Sequence, residues 1–127
     1  MTEKPTYEEL AKKLLQDSAM RNALFDNLPC VALILKKGTR EIVASNQVAK
    51  QFDAIPGRTC YETCAARKDS CPFCLAPKLW ATGDPQHLEV EYKGTYYEGI
   101  WIALNEELYV HYILDITDRK KAEKAWL

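Results

Sequence analysis

Four cysteines fall within fifteen residues in the pattern Cys60-x3-Cys64-x6-Cys71-x2-Cys74, and of all residues in this chain they offer the most chemistry. Thiolates are soft ligands that suit Zn²⁺ or an iron–sulfur cluster. A structural zinc needs a closed tetrahedral set of four, here all cysteine, whereas a cluster with exposed sulfurs answers to oxygen or redox state. If residues 61–65 are helical, Cys60 and Cys64 project from one face with Cβ atoms about 6 Å apart. Cys71-Pro-Phe-Cys74 then forms a tight turn at a helix start near Phe73, so both pairs can meet, and the positive end of that helix lowers the thiol pKa values. Two other readings stand beside metal binding. The cysteines can close reversible disulfides and act as a thiol switch, or they are buried thiols in a helical patch. Thiol redox catalysis at Cys71 and Cys74 lacks the βαβ context it requires. The fifth cysteine, Cys30, follows Pro29 at the start of an apolar run and reads as a core thiol.

The elements that must position these groups are legible as patterns. Thr6-Tyr-Glu-Glu9 has the spacing of a capping box, so a helix begins near Tyr7 and continues at helical intervals of leucine to Leu28-Pro29. Residues 31–36 and 40–44 form a hairpin about Gly38, a short helix occupies 47–52, and a further helix spans 73–82 and stops at Gly83-Asp-Pro85. Three alternating runs, 87–92, 96–104 and 108–114, make an antiparallel meander. Thr117 is the expected N-cap of a charged terminal helix over 118–127. The order helix, two strands, short helices, three strands, helix describes an α+β fold whose five-stranded antiparallel sheet has a face that can enclose a small ligand.

Composition narrows the function classes. At 127 residues the chain is one folding unit, and 47% hydrophobic with 28% charged residues is ordinary for a globular domain. A net charge of −1 leaves no electrostatic footprint for nucleic acid or for an anionic membrane surface. No apolar run is long enough to span a membrane, and the opening residues lack the apolar stretch of a secretory peptide, so the expected compartment is cytoplasmic.

Leu24-Phe-Asp-Asn-Leu-Pro29, Asn46-Gln-Val-Ala-Lys-Gln-Phe52 and the closing Asp115-Ile-Thr-Asp-Arg119 together resemble the PAS family of bacterial sensory domains. Cys60-Tyr-Glu62 and Cys71-Pro-Phe-Cys74 are similar to a Cys-rich subset of that family. The resemblance implies a sheet in the order 2-1-5-4-3 with short helices on one face. It further implies a connecting and dimerisation helix over residues 1–21, the PAS domain over 22–117 and the start of a signalling helix over 118–127. The implied role is a non-enzymatic input domain that senses a small ligand, metal or redox state for an effector outside this chain, a histidine kinase or diguanylate cyclase; the alternative is a ligand-free dimerisation module with structural cysteines. A homodimer through the N-terminal helix and sheet is also implied.

Cys60, Cys64, Cys71 and Cys74 are the candidate zinc or iron–sulfur ligands, and Asp115, Thr117 and Arg119 the candidate signal-coupling residues, with Asp115 and Arg119 placed to pair across the strand-to-helix junction. Gly57-Arg-Thr-Cys60 is also similar to the start of a flavin photosensor motif, which Tyr61-Glu-Thr-Cys64 does not continue. His87 and His111, the candidate haem ligands, read as half-exposed sheet residues. The aromatics Tyr96, Tyr97, Trp101, Tyr109 and Tyr112 lie on the strands, where they line a pocket, form a dimer surface or pack in the core.

Overall fold

A computed structural model describes residues 4–65 and 67–126. The first three residues of the N-terminal segment, Ala66 in the cysteine-rich stretch and Leu127 at the end of the exit segment lie outside the described residues.

The chain opens with two helices, α1 (Tyr7–Gln16) and α2 (Ser18–Asp26), where the leucine spacing predicts one. The capping box at Thr6 and Glu9 forms as expected. The break lies at Asp17, whose backbone is extended and whose carboxylate accepts the Met20 N–H at 3.1 Å. An aspartate that can cap a new helix competes with continuing the old one, and the apolar stripe is too weak there to oppose it.

Strands β1 (Val31–Lys36), β2 (Ile42–Ser45), β3 (Gln86–Tyr92), β4 (Thr95–Ala103) and β5 (Leu108–Asp115) form one antiparallel sheet in the order β2-β1-β5-β4-β3. β1 is an interior strand and mostly buried, with Ala32, Leu33 and Leu35 at 0% exposure. Its partner β5 brings His111 opposite Leu33 and Tyr109 opposite Leu35. The β3–β4 turn has Lys93 and Gly94 both at positive φ, the geometry a two-residue hairpin requires. Among the described residues no helix is long and apolar enough to cross a membrane.

One face of the sheet is covered by α3 (Gln47–Lys50), α4 (Cys60–Thr63) and α5 (Ala76–Thr82), with Ala49, Ala76 and Leu79 joining the core formed by Leu33, Leu35, Ile42, Trp101 and Tyr109. Asn46 fixes the start of α3. Its Oδ1 accepts the N–H groups of Ala32 and Ala49, and its Nδ2 donates to the carbonyls of Leu28 and Cys30. A side chain at 0% exposure thus satisfies four buried backbone groups and ties the entry loop, β1 and α3 together.

The last helix of the cysteine region begins at Ala76, three residues later than Phe73. Cys71 to Cys74 is a turn closed by Cys74 N–H to the Cys71 carbonyl at 3.0 Å, and Pro77 sits in the first helical turn, where its missing N–H costs nothing. Gly83 at φ 75° ends α5 as the sequence indicates. The exit helix α6 (Thr117–Ala125) also departs from expectation at its cap. Ile116 is the N-cap residue and Thr117 the first helical one, because the Thr117 hydroxyl is already engaged: it donates to Asp115 Oδ1 at 2.6 Å and accepts the Tyr96 N–H at 3.0 Å.

Candidate functional site

Between the sheet and the covering helices lies a cavity of about 230 Å³, room for some eight water molecules at about 30 Å³ each. Strand periodicity builds its floor. Leu88 and Val90 of β3, Tyr97, Gly99 and Trp101 of β4, and Tyr109, His111 and Ile113 of β5 all face it, two residues apart along each strand. Gly99 is required there: a Cβ at this position would stand 2.8 Å from Trp101 Cη2 and 3.4 Å from His111 Cε1. The roof is the cysteine-rich region, and Cys60, Cys64, Cys71 and Cys74 all line the same cavity.

The i, i+4 placement of Cys60 and Cys64 on α4 is realised, with the Cys64 N–H bonded to the Cys60 carbonyl at 2.9 Å. All five cysteines are free and half-buried, so Cys30 lies at the margin of the core. Burial pushes the Cys60 thiol up to about 12, and the neighbouring Cys74, Cys64 and Cys71 push the same way. Cys64 and Cys71 are raised as well, chiefly by burial. At Cys60, Cys64 and Cys71 burial therefore overrides the helix-end effect expected to activate them, and these three thiols rest protonated. Among the described residues, no three histidine, cysteine or acidic groups are gathered closely enough to hold a metal ion.

One residue of this site, Arg40, carries no motif and escapes sequence reasoning, while Tyr109 and His111, both named from the sequence, join it at the cavity. Arg40 follows the hairpin turn with φ 63°, a left-handed conformation rare for a side-chain-bearing residue, and its guanidinium lies over the Trp80 ring at 4.9 Å. Tyr109, 2% exposed, meets Trp80 edge-on at 5.7 Å between ring centroids, and its hydroxyl has no hydrogen-bond partner among the described residues. His111 is buried rather than half-exposed. Its ring stacks on Trp101 at 4.5 Å and its Nδ1 is 3.0 Å from the Ile100 carbonyl. Burial holds its pKa down at about 4, so the imidazole is neutral. His87, by contrast, is exposed on β3. Of the strand aromatics, Tyr97, Trp101 and Tyr109 line the cavity, while the Tyr96 hydroxyl accepts from Lys124 Nζ at 2.6 Å.

The junction residues do not pair as the sequence suggests. Asp115 bonds to the Thr117 hydroxyl and N–H, which hold its carboxyl below the usual range. Arg119 instead meets Glu89 on β3, with Glu98 of β4 at 3.9 Å, and Lys120 Nζ reaches Glu89 Oε2 at 2.6 Å. The acidic partners lie more than twenty residues away in sequence, side by side in the β3–β4 register. The hydrogen bond from Lys120 holds the Glu89 carboxyl below its ordinary range.

No family model matches the sequence, and no curated protein is found to be similar to it. Among solved structures, the PAS domain from Bordetella pertussis BvgS matches with a TM-score of 0.49 at 17% identity, over 94% of this chain and 93% of that one. The chain's own strand order, 2-1-5-4-3, with short helices across one face and a helix leaving the last strand, is the PAS arrangement.

Proposed function

We propose that this chain is a sensory input module in which occupation or modification of the cysteine-roofed cavity is passed through the sheet to α6, and from there to an effector such as a histidine kinase or diguanylate cyclase. One observation carries the reading. On β3, Leu88 and Val90 face the cavity while Glu89 between them holds Arg119 and Lys120; on β4, Tyr97 and Gly99 face the cavity while Glu98 between them stands near Arg119. Each strand thus touches the input site with one face and the exit helix with the other, and a twist or shift of β3 and β4 moves both. A signal of this kind requires the stimulus to favour one of two arrangements.

The test is hydrogen exchange of the α6 amides before and after treatment with methyl methanethiolsulfonate, which places a methylthio group on each accessible cavity thiol. Exchange at Lys120, whose N–H is bonded to the Ile116 carbonyl at 3.0 Å, is expected to change several-fold on modification. The change is expected to vanish in a Glu89→Gln, Glu98→Gln variant. An α6 exchange pattern indifferent to modification overturns the proposal.

A second reading, zinc or an iron–sulfur cluster on Cys60, Cys64, Cys71 and Cys74, rests on all four thiols lining one cavity, and it requires them to close further, since no three such groups among the described residues stand close enough to hold a metal ion. Anaerobic purification with metal, iron and sulfide analysis tests it; a metal-free protein whose Cys60→Ser and Cys71→Ser variants keep wild-type stability overturns it. Exposed Tyr7, Leu10, Leu15, Met20 and Leu24 on α1 and α2 support a homodimer through the N-terminal helices, and the setting we infer for such a module is the cytoplasm.

A further inference from the structure

The cavity is lined by a cation and a hydroxyl that each carry a buried polar atom with no hydrogen-bond partner among the described residues. Arg40 lines the cavity and, among the described residues, makes no ion pair; its Nε is buried without a hydrogen-bond partner. The Tyr109 hydroxyl, on a residue 2% exposed, is likewise unpartnered. Trp80 brings the two together, with the guanidinium on its ring and the Tyr109 ring against its edge. The remaining wall is mostly apolar, with Val31, Leu88, Val90, Ile113 and Phe73, and Arg67 is its other cationic residue. A buried guanidinium nitrogen and a buried hydroxyl left unpaired are costly unless a ligand completes them.

We infer that the cavity binds a small monocarboxylate with an apolar body, its carboxylate accepting from Arg40 and the Tyr109 hydroxyl and its hydrocarbon or aromatic part lying over the β3–β5 floor. Guanidinium and carboxylate match in charge and planar geometry, so Arg40 discriminates an acid from its neutral analogue. The volume of about 230 Å³ admits a short-chain or singly aromatic acid. The inference deepens the proposed function, since it names the ligand class for the same cavity.

Isothermal titration calorimetry of the full chain with hexanoate and phenylacetate, against hexanamide and phenylacetamide, tests it. The acids are expected to bind at least 10-fold more tightly than the amides. Arg40→Gln is expected to weaken acid binding by about 10- to 100-fold, the range of a charge-assisted hydrogen bond, and to leave the amides unchanged. Arg40→Lys, which keeps the charge, retains part of the preference, and Tyr109→Phe weakens acid binding by a few-fold without disturbing the core. Equal binding of acids and amides, or an Arg40→Gln variant with undiminished acid affinity, overturns the carboxylate assignment and leaves the cavity as an input site for a neutral ligand. If neither acids nor amides bind, the ligand assignment fails outright, while the α6 exchange experiment decides the sensory reading on its own.

Discussion

His111 makes the stability of this fold depend on pH in a way that can be worked out from one residue. Its ring is buried against Trp101, and burial lowers its pKa from 6.5 to about 4. The unfolded chain takes up a proton as pH falls through 6.5, whereas the folded chain resists until about 4. Stability is therefore fully present above pH 6.5 and is lost between there and pH 4. At 1.36 kcal/mol per decade the loss amounts to about 3 kcal/mol, a large share of a stability of some 5–15 kcal/mol. Urea unfolding followed by far-ultraviolet circular dichroism from pH 7.5 to 4 measures it in wild type and in His111→Asn, whose amide can still donate to the Ile100 carbonyl. Glu89 and Asp115 titrate in both proteins and cancel in the difference. Cys60, Cys64 and Cys71 stay neutral throughout this window. Wild type should lose about 3 kcal/mol more than the variant, with a slope near 1.4 kcal/mol per pH unit in mid-window. Parallel curves for the two proteins would refute the reasoning.

Asn46→Ala strands the N–H groups of Ala32 and Ala49 and the carbonyls of Leu28 and Cys30, and should cost about 3 kcal/mol or more in denaturant unfolding. Iodoacetamide should alkylate Cys60 at pH 7 about a thousandfold more slowly in the native protein than in urea, since its pKa is raised from 9.0 to about 12; peptide mapping by mass spectrometry reads the rate site by site. Gly99→Ala drives a methyl into Trp101 and should lower stability by about 1–3 kcal/mol while changing the near-ultraviolet circular dichroism of the displaced indole.

The five strands and their antiparallel meander were readable because each strand alternates cleanly or is bounded by a turn, as at Lys93-Gly94. β3 is the clearest case: Leu88 and Val90 face inward and His87, Glu89 and Glu91 are exposed, as the sequence pattern says. β5 is the opposite case. Leu108, Val110 and Tyr112 are as apolar as Tyr109 and Ile113, so alternation cannot choose a face, and His111 reads as half-exposed although it is buried in the cavity wall. The four cysteines were visible as a cluster, but their common orientation depends on the turn at Cys71 to Cys74 and on a helix start that the Pro77 position moves to Ala76. Arg40 left no signal, because its role arises from a left-handed backbone and from Trp80, forty residues away. The partners of Arg119 were hidden for the same reason: Asp115 is near in sequence, but Glu89 and Glu98 are near in space.

Coupling between two sites is reciprocal, so if the cavity reports to α6, then loosening α6 must be felt in the cavity. The most direct measurement is the rate at which methyl methanethiolsulfonate modifies the cavity thiols Cys60, Cys64, Cys71 and Cys74 in wild type and in Arg119→Gln, Lys120→Gln, a variant altered only on the far side of the sheet. A changed rate at the cavity thiols, with the rate at Cys30 unchanged, is the predicted result. Identical rates at all five cysteines would contradict the account.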